Sequence, residues 1–73
     1  MNLRIRKELE RILKGLENAE QFDREFPWKE KGKDYTTSFG KTTFNEVKKH
    51  LPEEINYSIV SESTNYCTVT FWR

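Results

Sequence analysis

Residues 55–72 read INYSIVSESTNYCTVTFW, and this stretch decides the fold. Ile55, Tyr57 and Ile59 alternate with Asn56, Ser58 and Val60, and Cys67, Val69 and Phe71 alternate with Tyr66, Thr68, Thr70 and Trp72. Alternation of period two, rich in β-branched and aromatic residues and broken by a Ser/Thr/Asn cluster, predicts a hairpin with strands at 55–61 and 66–72. The two apolar sets share a face only if facing residue numbers sum to an even number, as when Ile59 stands opposite Cys67. That parity requires an odd loop of about three to five residues within 61–65, with Asn65 as the expected left-handed residue closing it.

Working back towards the N-terminus, Thr43-x-x-Glu46 reads as a capping box, and Phe44, Val47 and Leu51 follow on one helical face until Pro52 stops the helix. Before it, residues 35–39 (YTTSF) alternate as a short strand with Tyr35, Thr37 and Phe39 on one face, and Gly40-Lys41 turns the chain. Residues 28–34 (WKEKGKD) form a polar connection. Residues 3–26 carry Ile5, Leu9, Ile12, Leu16 and Ala19 at spacings of four and three, the stripe of an amphipathic helix with Asn2 as N-cap. Beyond Ala19 the stripe drifts, so residues 20–26 are open to being a separate turn that carries Phe22 and Phe26 into the core. The order helix–strand–helix–strand–strand defines a single α+β domain over residues 1–73: a three-stranded sheet ending in a C-terminal hairpin, with the helices packed on one face. The helical connection between strands 35–39 and 55–61 predicts that these two lie parallel through a crossover.

Composition bounds function. Charged and apolar residues each make up 34% of the 73, a balance that leans towards disorder, but 14% aromatic content and only two prolines favour a modest core. The formal net charge of +1 gives no overall attraction for nucleic acid. No apolar run approaches membrane-spanning length, no apolar leader segment follows Met1, and Cys67 has no partner for a disulfide, so the expected location is the cytoplasm.

Catalytic and metal chemistry find few donors. Cys67 alternates with Val69 and Phe71 and reads as a small core residue, and the one histidine, His50, falls in the last turn of the second helix. His50-x-x-Glu53 is interrupted by Pro52, and no cluster of His and Cys exists, so no metal, catalytic residue or cofactor is expected. Gly40-Lys41-Thr42 ends like a phosphate-binding loop, but the required glycine five positions earlier is Tyr35, which leaves a turn and a helix start.

Two surfaces remain. Residues 55–72 carry one charge, Glu62, while the other twenty-four ionised side chains lie elsewhere. The hairpin face bearing Ser58, Val60, Tyr66, Thr68, Thr70 and Trp72 is therefore neutral and rich in hydroxyl and aromatic groups, the composition of protein-recognition surfaces. It predicts a non-enzymatic protein–protein binding module, a small regulator, adaptor or inhibitor whose partner is another protein or a second copy, with Trp72 and Tyr66 as anchors. The alternative is a nucleic-acid-binding module using Arg4, Lys7, Arg11 and Lys14 of the basic first half of the helix with Lys29, Lys31 and Lys33 of the loop. That half carries net +3 and residues 15–26 net −3. Trp28 and Tyr35, which flank the loop, are expected to pack inward.

Overall fold

In the computed structural model, which describes residues 2–29 and 32–73, the chain forms α1 (Leu3–Glu25), β1 (Tyr35–Gly40), α2 (Lys41–Lys49), β2 (Asn56–Glu62) and β3 (Tyr66–Trp72). This is the predicted α+β order. α1 starts where Asn2 Oδ1 accepts the Ile5 N–H at 2.9 Å, and it runs unbroken to Glu25. The expected separate turn at 20–26 does not occur: the helix continues through these residues to Glu25, and Phe22 and Phe26 stay outside the buried core cluster. Asn2→Ala removes the side-chain acceptor from the first turn and should cost about 1 kcal/mol, read as a fall in the midpoint of thermal unfolding.

Strand order differs from the expectation. The sheet runs β1-β3-β2, with β3 antiparallel to both neighbours. β1 and β2 thus point the same way, but β3 lies between them instead of β1 pairing with β2. The most apolar strand, with Cys67, Val69 and Phe71 all buried, takes the centre, where burial on both flanks is greatest.

The hairpin register also differs. Ile59 faces Val69, not Cys67; residues 56–59 keep the even parity, and a β-bulge then lets Val60 and Ser61 together oppose Thr68. The tip does not use a left-handed Asn65, since no described non-glycine residue has positive φ. Ser63 does the closing: its N–H donates to the Tyr66 carbonyl at 2.8 Å, and its Oγ accepts the Tyr66 N–H at 3.3 Å. The capping box is likewise absent. α2 begins two residues before Thr43 with Gly40 as N-cap, because the Lys41 N–H is taken by the Asn65 carbonyl of the hairpin tip at 2.9 Å.

The core gathers Ile5, Ile12 and Leu16 of α1, Phe44 and Val47 of α2, Ile55, Phe39 of β1, and Cys67, Val69 and Phe71 of β3. Phe39 stacks on Phe44 at 5.7 Å and meets Phe71 edge-on at 6.0 Å. Both helices cover β1 and β3; neither backbone runs over β2, although the Phe44 ring of α2 meets Tyr57 at 5.4 Å.

Candidate functional site

With Cys67, Val69 and Phe71 turned to the helices, the alternation of β3 turns Tyr66, Thr68, Thr70 and Trp72 to the opposite, uncovered face. The register places Thr36, Thr70 and Ser58 in one row across the three strands and Ser38, Thr68 and Ser61 in the next. The hydroxyls link across strands: Thr36 Oγ1 and Thr70 Oγ1 lie 2.8 Å apart, and Ser38 Oγ and Thr68 Oγ1 3.0 Å apart. Asn56 flanks Trp72 at one end and Gly40 flanks Tyr66 at the other. Among the described residues, the strand positions on this face carry no charged side chain. The Thr36–Thr70 and Ser38–Thr68 hydroxyls are already paired, so covering these two pairs with another surface strands few polar groups.

Of the residues the sequence assigned to this face, Tyr66 and Ser58 are exposed, and Thr68, Thr70 and Trp72 are half-buried by their neighbours. Val60 is exposed and sits at the bulge rather than in regular alternation. The assignment missed Thr36 and Ser38. Their alternation with Tyr35, Thr37 and Phe39 was legible, but they join the site only because β1 pairs with β3.

The flank of the sheet is a second open feature. Every residue of β2 is exposed, including Tyr57 at 42%, Ile59 at 43% and Val60 at 58% of their full areas. Tyr57 and Ile59 share the face of Phe71 and Val69, yet the helices cover them only in part. A shallow groove between α2 and β2 is lined by Lys41, Phe44, Asn45, Lys48, Ile59, Glu62 and Cys67. Burial raises the Cys67 thiol above its ordinary value and Glu62 adds to this, with Lys41 and Lys48 partly offsetting both. The thiol is therefore protonated at neutral pH and a poor nucleophile. Among the described residues, no three His, Cys, Asp or Glu side chains cluster to hold a metal ion, and no helix is long and apolar enough to cross a membrane.

The basic residues do not form one surface. Arg4, Lys7, Arg11 and Lys14 are exposed on the first half of α1, while Lys29 and Lys33 lie past the far end of this helix, which is about 34 Å long. Several are engaged within the chain. Arg11 pairs with Glu8 at 2.6 Å and covers the Phe39 ring, Lys33 pairs with Asp23 at 3.8 Å, and Lys29 Nζ lies 5.1 Å from the Phe26 ring centre. Lys31 lies outside the described residues. Trp28, expected inside, is 72% exposed; it meets Phe26 edge-on at 5.7 Å at the end of α1, away from the main core, while Tyr35 packs against that core as expected.

Compared with protein-family models, with curated proteins and with solved structures, the chain matches none.

Proposed function

We propose that this protein is a non-enzymatic protein–protein binding module that acts through the outer face of its sheet. The carrying observation is a charge-free face, built from all three strands and bounded by Trp72 and Tyr66, that the chain's own helices leave open. The sequence as a whole is 34% charged, so a neutral surface of this extent stands out chemically. Flat, hydroxyl-lined and aromatic-edged, it suits a protein surface of similar polarity better than a small molecule, which needs concavity, or nucleic acid, which needs concentrated positive charge.

The test is affinity capture from source-cell lysate with wild-type protein and with the Tyr66→Ala/Trp72→Ala double variant. The exposed and half-buried positions of these side chains predict that the variant keeps its far-UV circular dichroism spectrum and loses at least tenfold of the captured partner. Equal capture by both proteins would end this reading. Capture of nucleic acid that elutes steeply with salt would replace it with the basic-surface alternative.

A further inference from the structure

We propose that β2 is a self-association edge: two copies join β2 to β2 antiparallel about a two-fold axis at Ser58, making one six-stranded sheet. This rests on the binding-module reading and deepens it by naming a second copy as one partner.

The edge is open in a way that β1, the other edge, is not. β1 buries Phe39 and half-buries Tyr35 and Thr37 under the helices, whereas all seven residues of β2 are exposed. Open edges are normally guarded by charge, and from Asn56 to Ser61 β2 has none. The bulge decides which self-pairing is available. Tyr57 and Ile59 lie on the helix face of the sheet, Asn56 and Ser58 on the outer face, and the bulge shifts Val60 and Ser61 together to the outer face. Centred on Ser58, antiparallel pairing sets Tyr57 against Ile59 of the second copy and Asn56 against its Val60, so like faces meet throughout residues 56–60. Centred on Ile59, it would set Tyr57 against Ser61, helix face against outer face. The Ser58 register therefore gives the longest consistent match.

Its chemistry is also self-complementary. The two Tyr57–Ile59 pairs are of the aromatic–β-branched kind that stabilises antiparallel sheets, and together they cover the apolar side chains that each copy leaves half-exposed. The two Glu62 residues fall beyond the paired segment, roughly 25 Å apart, and a net charge of +1 per chain opposes approach little. The row Thr36–Thr70–Ser58 then continues through Ser58 of the second copy into an unbroken hydroxyl row across six strands. The paired segment is short, residues 56–60 of each copy, which places it at the weak end of specific interfaces.

Light scattering on the wild-type chain, from about 10 μM to about 1 mM, should show the mass rising from 8.8 kDa towards twice that value. Ile59→Lys should hold it at the monomer mass with the circular dichroism spectrum unchanged. Ser58→Cys supplies a second reading that does not depend on tolerance of the lysine. Directly opposed residues of antiparallel strands bring their Cα atoms within disulfide range, and Cys67 is buried. Mild oxidation should therefore give a covalent dimer from Ser58→Cys and none from Ser63→Cys at the hairpin tip. A wild-type chain that stays monomeric throughout, or a dimer that Ser58→Cys fails to cross-link, overturns self-association through β2. Neither result touches the outer-face reading, which stands or falls on the Tyr66/Trp72 captures.

Discussion

Replacing Phe71 by Ala should abolish the cooperative thermal transition, leaving a chain that has lost most of its far-UV signal at 25 °C. Phe71 is fully buried on the central strand, opposite Tyr35 on one side and Tyr57 on the other. Its ring meets Phe39 edge-on, and Phe39 stacks on Phe44, so one aromatic chain ties β3 to β1 and to α2. Removing a buried phenyl group costs about 3–5 kcal/mol, because the transfer energy is lost and the cavity closes only in part. A core of this size supplies no more than about 3–5 kcal/mol in total. The loss therefore equals the whole margin. Ile12→Val, equally buried on α1, removes one methyl group and should cost only about 1 kcal/mol, with the transition retained. The measurement is a melt of the three proteins at one fixed concentration, since self-association would raise the midpoint with concentration. A Phe71→Ala protein that still melts in two states within about 10 °C of wild type would mean that Phe71 contributes under about 2 kcal/mol. The aromatic chain would then not be what holds the sheet to the helices.

Local features were legible in the sequence; long-range pairings were not. The stripe that buries Ile5, Ile12 and Leu16, the Asn2 cap and the inward set Cys67, Val69 and Phe71 each follow from spacing within a few residues, and each is found. The position of β3 between β1 and β2 is a choice between pairings some thirty residues apart, and the alternation of all three strands is the same in either order. The bulge at Val60 left no mark because a β-branched residue suits a regular strand equally well. Asn65 was the natural left-handed residue for a tight loop; Ser63 removes the need by lending its hydroxyl to the Tyr66 N–H. Trp28 was misplaced for a related reason. Its size marks a core residue, but Phe22 and Phe26 pack ring to ring at 4.9 Å beyond the sheet and give it a separate place to rest. The neutral face of the candidate site was legible as a dearth of charge in residues 55–72. Its true width was not, because Thr36 and Ser38 enter it only through the β1–β3 pairing.

Helix propensity alone assigns Gly15→Ala a gain of about 1 kcal/mol in the interior of α1; the structure reverses the sign. A Cβ at Gly15 would stand 2.4 Å from Cδ1, 2.5 Å from Cε1 and 2.6 Å from Cγ of Tyr35, which is the body of the ring and not a flexible tip. Tyr35 opens β1 directly opposite Phe71 and packs against the core cluster, which leaves its ring little room to retreat inward. Either α1 lifts from β1 or the ring leaves its rotamer, and overpacking of this kind costs about 1–3 kcal/mol. The expected net effect is a loss of about 1 kcal/mol, a fall of roughly 5 °C in the melting midpoint. The cause is separable from the direction. In a Tyr35→Ala background the obstruction is gone, and the same Gly15→Ala change should stabilise by about the propensity gain, giving a coupling of about 2 kcal/mol across the cycle. If Gly15→Ala raises the midpoint in the wild-type chain, Tyr35 swings aside at little cost and the helix does not rest on its ring. If both backgrounds lose equally, the penalty belongs to the helix itself, and the close approach of α1 to β1 at this glycine is not what selects a residue without a side chain.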